Sequence, residues 1–259
     1  MTPVDVHAVA EGPADGPVLV LSPSLGTGHL MWDPQVAALT GRFRVIRYDP
    51  RGHGRSPVPP EPWEIADLAE DVVRLLDHHG IEKAHYCGLS LGAMSGIALA
   101  ADHPDRVDRL VLCSTTAQFP SPDPWTERAE TVRAKGTAAI AETVVERWLT
   151  PDYAAAHPEI VVRLKSMIEQ TPDEGYAACC GAIARMDLRG ALPRITAATL
   201  VISAEQDPAT PPEFLQRIAA AIPGARLEVL SPAAHLANIE QPEEWTRLVI
   251  AHLGGSDQG

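Results

Sequence analysis

Short apolar runs alternate with amphipathic stretches along most of the chain. Val18-Leu19-Val20-Leu21, Phe43 through Tyr48, Ala84-His85-Tyr86-Cys87, Leu110-Val111-Leu112-Cys113, Leu200-Val201-Ile202-Ser203 and Leu227-Glu228-Val229-Leu230 each read as a strand. Their shortness and their bounding turn residues distinguish them from helix. Val4 through Val9 alternates apolar and polar positions, which predicts an edge strand. Ile65, Leu68, Ala69, Val72, Val73, Leu75 and Leu76 recur at three-and-four spacing, and Gly80 stops that helix. Strands separated by helices of this length pair in parallel and require helices on both faces of the sheet.

One segment breaks the rhythm. From Pro120 to Gly190 the pattern holds helical spacing only, with stripes at Ile140, Val144 and Trp148, at Val161, Leu164 and Ile168, and at Tyr176, Cys179, Ile183 and Met186. The expected organisation is a core domain from residues 1–119 and 191–259. Residues 120–190 would form a helical lid inserted before the penultimate strand. The tail from Gly254 to Gly259 is expected to be disordered.

Composition narrows the partners. The chain has 259 residues, a length that suits one α/β domain with an insertion. Lysine plus arginine number 21 against 34 aspartate plus glutamate, a formal charge of −13. Such a chain repels nucleic acid and anionic membrane surfaces, so neither is an expected partner. No apolar run approaches the roughly 18 residues of a membrane span, and Met1 to Ala10 lacks a basic and apolar signal pattern. Cys87, Cys113, Cys179 and Cys180 form no CxxC pair, which predicts small buried thiols and a reduced, cytoplasmic protein. Histidine spacing matches no metal motif, and Gly52-His53-Gly54 lacks the downstream pattern of a dinucleotide site. The expectation is therefore no metal and no cofactor.

Gly88-Leu89-Ser90-Leu91-Gly92 is the strongest chemical signal. It follows a predicted strand and opens a helical stretch through Ala100. A sharp turn there lifts the serine hydroxyl clear of the sheet, and side chains two positions to either side would collide, so both are glycine. The following helix aims free backbone N–H groups at an oxygen that becomes negative. Ser90 is thus the expected nucleophile.

A serine needs a base, and histidine is the usual one. Among ten histidines, His235 lies just beyond the last predicted strand. Loops on that edge of a parallel sheet converge on one crevice. The acid that orients it is expected in the loop after the preceding strand. Asp207 lies there, favoured over Glu205 two residues away by the proline that follows it, and over Asp187 in the helical segment. His53 reads as a loop-shaping residue. The expected oxyanion donors are the backbone N–H groups of Leu91, directly after the nucleophile, and of Leu25, in the loop after the Val18–Leu21 strand.

These blocks, with Tyr48-Asp49-Pro50-Arg51-Gly52-His53-Gly54, resemble the α/β-hydrolase superfamily over nearly the whole chain. More narrowly, the sequence resembles 3-oxoadipate enol-lactonases of the β-ketoadipate pathway of aromatic-acid breakdown. That likeness rests on Glu146 through Pro151, Gly175 through Cys180, Ala184 through Arg189 and Ala234 through Pro242. Pro23 departs from the asparagine expected before Ser24-Leu25-Gly26-Thr27. The resemblance implies hydrolysis of a small enol-lactone bearing an acetate arm. Rival readings are a carboxylesterase, a cofactor-free perhydrolase, or a ligand-binding receptor of the same fold. Epoxide hydrolases and haloalkane dehalogenases would need aspartate at the elbow.

The implied substrate is an anion, yet the chain is strongly acidic, so pairing must be local. Guanidinium groups suit a carboxylate. The expectation is that Arg133 or Arg185 faces the pocket, with Trp148 as an apolar wall.

Overall fold

Strands covered by helices on both faces are buried along most of their length, and the central strands here follow that rule. The computed structural model describes residues 2–254. The first half contains β1 (Ala8–Glu11), β2 (Val18–Ser22), α1 (Asp33–Leu39), β3 (Arg44–Tyr48), α2 (Ile65–His78), β4 (Ala84–Leu89), α3 (Leu91–Asp102) and β5 (Val107–Cys113). Then come α4 (Asp123–Lys135), α5 (Ala141–Val145), α6 (Pro151–Ala156), α7 (Pro158–Glu169) and α8 (Asp173–Arg185). The chain returns through β6 (Ala198–Ala204), α9 (Pro212–Ala221), β7 (Arg226–Leu230), α10 (Ala237–Glu240) and α11 (Pro242–Leu253).

The described strands form one seven-stranded sheet in the order β1-β3-β2-β4-β5-β6-β7. Only the β1–β3 pair is antiparallel. All six residues of β4 are buried, as central strands of a doubly covered sheet must be. Helix α3 packs beside α2 and on β4 and β5, while α11 packs beside α1, where Trp32 and Trp245 meet at 5.4 Å.

The edge strand differs from its expectation. The alternation at Val4–Val9 predicts a strand there, but β1 covers Ala8–Glu11 and pairs with Tyr48 to Val45. The residues before it give their N–H groups to side chains: Val4 to Asp71 Oδ1 at 2.7 Å and His7 to Ser56 Oγ at 2.8 Å. A ladder cannot form where the donors are already engaged. The stripe at Ile140, Val144 and Trp148 is also not one helix. Helix α5 ends at Val145, and Trp148 sits in a tight turn whose N–H bonds the Val145 carbonyl. Of the expected tail, only Gly254 lies within the described residues, at the end of α11.

Exposed arginines fasten α4, α7 and α8 to the rest of the molecule. Arg133 grips Glu61 at 2.7 and 2.8 Å, Arg185 reaches Glu64 at 2.9 Å and the Trp63 carbonyl, and Arg163 bonds Asp33 and the Leu30 carbonyl.

Candidate active site

The turn between β4 and α3 holds Ser90 at φ 55°, ψ −112°, a left-handed backbone that a side-chain-bearing residue seldom adopts. Three bonds pin it: Ser90 N–H to the Cys113 carbonyl at 2.9 Å, Thr115 Oγ1 to the Ser90 carbonyl at 3.0 Å, and Gly92 N–H to the Pro23 carbonyl at 3.1 Å. A Cβ on Gly88 would lie 2.3 Å from the Gly92 carbonyl oxygen, and one on Gly92 would lie 2.2 Å from that of Ser22. The glycine spacing is therefore steric. Below the turn, the Tyr86 hydroxyl donates to the Gly92 carbonyl at 2.8 Å, and Ser22 Oγ bonds the Tyr48 hydroxyl at 2.7 Å. Pro23 contributes through its carbonyl, so that bond tolerates the absent asparagine side chain.

Ser90, Asp207 and His235 follow the C-terminal ends of β4, β6 and β7, on one edge of the parallel sheet. His235 Nδ1 bonds Asp207 Oδ2 at 2.8 Å, with both residues buried. Asp207 Oδ1 accepts the N–H groups of Ala209 and Thr210, and Oδ2 accepts the Thr210 hydroxyl at 2.6 Å. Burial pushes the Asp207 carboxyl up, but the adjacent His235 and the Thr210 donors outweigh it and hold the group below the ordinary carboxylate range. An acceptor carboxylate on Nδ1 leaves the Nε2 lone pair for a proton on the other side of the ring. The rival acids are engaged elsewhere: Glu205 with Ser231, and exposed Asp187 with Arg189.

The loop after β2 carries Leu25, whose side chain packs in the core. Gly26 turns there with φ +78°, and a Cβ on it would meet the Tyr176 ring at 2.9 Å. Gly26 N–H donates to Nε2 of His53 at 3.0 Å, while His53 Nδ1 bonds the Arg51 carbonyl at 3.1 Å. His53 is buried, which lowers its basicity and keeps the ring neutral. The N–H groups of Leu25 and Leu91 donate to no other described residue, and Leu91 opens α3, where helix geometry leaves such groups free.

A cavity of about 410 Å³ lies beside the Asp207 loop. Its walls include Phe119, Trp125, Arg128, Arg147, Trp148 and Phe214, with Pro208 and Ala209 directly after Asp207. Trp148 is one of the apolar side chains of this cavity. Arg133 and Arg185 do not line this cavity. They sit at the edge, held by Glu61 and Glu64, because carboxylates of the core face them. The arginines that do line it are Arg128 and Arg147, which form no ion pair with a described carboxylate. The Arg128 guanidinium stacks 4.7 Å over Trp125, and Arg147 donates to the Pro208 carbonyl at 2.9 Å. Burial and the neighbouring Arg128 charge lower the basicity of Arg147, and the Asp207 carboxylate only partly offsets them.

Folding also creates a cluster that no sequence spacing announces. His7, His29 and Asp49 bring ligand-type atoms within 4.8 Å of one another. Asp49 already accepts the backbone N–H groups of His29 and Arg55 and bonds His29 Nδ1, and Arg55 stands 3.5 Å from His7 Nε2. The arrangement ties three loops together, and a metal ion there would face the Arg55 charge. All four cysteines are free and buried, and burial pushes the thiols of Cys87, Cys179 and Cys180 up, Cys180 to about 12.

With elbow, acid and histidine at the strand ends, the chain belongs to the α/β hydrolase fold family, whose model matches residues 17–242. It is a hydrolase of that fold. Over 240 residues it is 41% identical to 3-oxoadipate enol-lactonase 2 of Acinetobacter baylyi, covering 93% of this chain and 90% of the relative. The crystal structure of the enol-lactonase from Burkholderia xenovorans LB400 superposes with TM-score 0.94 at 43% identity, covering 96% of each chain. A malate-bound thermophilic esterase from Thermogutta terrifontis superposes with TM-score 0.91 at 31% identity, covering 96% of this chain and 93% of that one.

Proposed function

We propose that this protein is a serine hydrolase that opens 3-oxoadipate enol-lactone to 3-oxoadipate in the breakdown of aromatic acids. The observation that carries the reading is the pair of guanidinium groups without carboxylate partners, Arg128 and Arg147, in an aromatic cavity next to the Asp207 loop. A lactone with an acetate arm is flat, small and anionic, and matches that lining. The likeness to named enol-lactonases supports the same substrate. Residues 120–190 act as a lid over the core formed by 1–119 and 191–259. The free cysteines suit a reducing, cytoplasmic setting.

His235 takes the Ser90 proton at Nε2 as the serine oxygen attacks the ring carbonyl. The carbonyl oxygen becomes negative and rests on the N–H groups of Leu25 and Leu91. Collapse breaks the bond between the acyl carbon and the enol oxygen. The leaving enolate accepts the proton held by His235 and becomes a ketone, still tethered as the acyl chain on Ser90. Water then gives a proton to His235 and attacks the ester. His235 returns that proton to Ser90, and the free acid releases its remaining proton to solvent and leaves ionised. Asp207 stays ionised and stabilises the imidazolium at each stage.

Hydrolysis of the lactone by the wild type and by Ser90→Ala, beside a neutral p-nitrophenyl ester, tests this. The expected result is rapid lactone turnover, lost by roughly 10⁶ in the variant. Turnover of the neutral ester alone would keep the nucleophile and discard the lactone. Turnover of neither substrate would point to a binding role.

A further inference from the structure

Glu240 is a buried carboxylate with neutral donors around it. Its Oε1 accepts the Thr150 N–H at 2.6 Å and the Thr150 hydroxyl at 2.8 Å, and its Oε2 accepts the Ala234 N–H. Ala234 immediately precedes His235. On the other side of His235, Leu236 N–H donates to the Trp148 carbonyl at 3.0 Å. Both neighbours of the histidine are therefore held by residues 148–150, one directly and one through Glu240. Those residues continue from Arg147 and Trp148, which wall the cavity. Tyr153, one turn further, donates its hydroxyl to the Ile239 carbonyl at 3.1 Å and extends the same seam.

We propose that Glu240 is a positioning residue that locks the loop carrying His235 to the cavity wall, so that the wall sets the histidine against Ser90. The inference rests on the serine-hydrolase reading but not on the choice of substrate. A buried carboxylate is costly unless it is well hydrogen-bonded, and here three donors converge on it from two segments that are distant in sequence. If it were only a helix-end cap, its donors would belong to α10 itself. They belong instead to the turn before α6 and to the residue before His235. The geometry also explains why one small segment bears both cavity contacts and histidine supports: a shift of the wall on ligand binding reaches His235 through two short links.

The test compares wild type with Glu240→Gln and with Thr150→Val. Glutamine keeps the shape but offers an NH₂ where one N–H group needs an acceptor. Valine removes the hydroxyl, which also accepts the Tyr153 N–H at 3.4 Å at the start of α6, and leaves the Thr150 N–H. Two rates are read: kcat for the lactone, and the second-order rate of Ser90 labelling by a fluorophosphonate, which reports nucleophile activation whatever the natural substrate. Both are normalised to titrated active sites, which removes any misfolded fraction. The expected result for Glu240→Gln is a loss of about 10²-fold in both rates, with KM within about 2-fold. Thr150→Val should show a smaller loss of the same kind. The downfield proton resonance of His235 Nδ1–H should shift or broaden in both variants. Rates per titrated site equal to wild type would overturn the proposal, as would a rise in KM at constant kcat. If the wild type labels rapidly but ignores the lactone, the substrate reading fails and the Glu240 comparison still stands on labelling.

Discussion

The backbone N–H of Gly26 donates to Nε2 of buried His53 across 3.0 Å, while the Nδ1–H of the same ring is tied to the Arg51 carbonyl. The neutral imidazole is a bridge between two loops. One loop carries Leu25, the proposed oxyanion donor, and the other follows β3. Replacing His53 by leucine would leave a buried N–H without an acceptor and free the turn at Gly26. The expected outcome is a kcat lower by about 10–10²-fold, with KM little changed, in steady-state lactone kinetics. Unchanged kcat would separate the histidine from the oxyanion loop.

The arginines divide into two groups by their partners. Arg133 and Arg185 are paired with Glu61 and Glu64, whereas Arg128 and Arg147 line the cavity. Alanine at Arg128 or Arg147 should raise KM for the anionic lactone about 10-fold or more and leave a neutral ester unaffected, because a charge-assisted bond to the substrate is lost. Alanine at Arg133 or Arg185 should change KM by less than about 2-fold, as exposed ion pairs contribute little. A reversed pattern would return the carboxylate site to the edge of the helical segment.

The elbow predicts a stability effect. A methyl group at residue 92 would meet the Ser22 carbonyl oxygen at 2.2 Å, and backbone on both sides is pinned. Gly92→Ala should cost about 3 kcal/mol in urea unfolding, besides displacing Ser90. A variant as stable as wild type would mean that the turn yields more readily than its hydrogen bonds imply.

Acid should weaken the fold through His252. Burial pushes its imidazole from 6.5 down to about 4, and the Ala198 and Leu110 carbonyls that face Nε2 only partly oppose this. Above pH 6.5 the ring is neutral in both folded and unfolded chains, and it favours neither. As pH falls toward 4 the unfolded chain takes up the proton first, so stability drops by about 3 kcal/mol over that window. His252→Asn should flatten the dependence of urea midpoints between pH 7 and pH 4. A dependence as steep as wild type would assign the loss to other groups, such as buried His53 and His85.

The strands, the elbow and the order Ser90, Asp207, His235 were legible because each rests on local rules. Period-two and unbroken apolar runs mark buried strands, and glycines two positions either side of a serine mark a turn too tight for Cβ atoms. Thr210, which donates to Asp207, was within reach of the same reasoning, since a polar residue three positions after a turn aspartate often bonds back to it. The side chain of Tyr86 beneath Gly92 was not, because it comes from within a strand that reads only as core.

Local rules fail where a side chain has several possible partners. The chain offers Arg128, Arg133, Arg147, Arg163, Arg185 and Arg189 between β5 and β6, all compatible with a helix face. Which of them meets a carboxylate of its own and which lines an aromatic cavity depends on packing between segments as distant as Glu61 and Arg133. The same holds for Glu240 and Thr150, 90 positions apart. By itself the sequence determined the central strands, the sharp turn and the residues proposed to react, since those follow from periodicity, sterics and chemistry within a few residues. Tertiary structure alone decided which charges are neutralised, which N–H groups stay free and which wall holds the histidine, because those depend on distances between parts of the chain that only folding brings together.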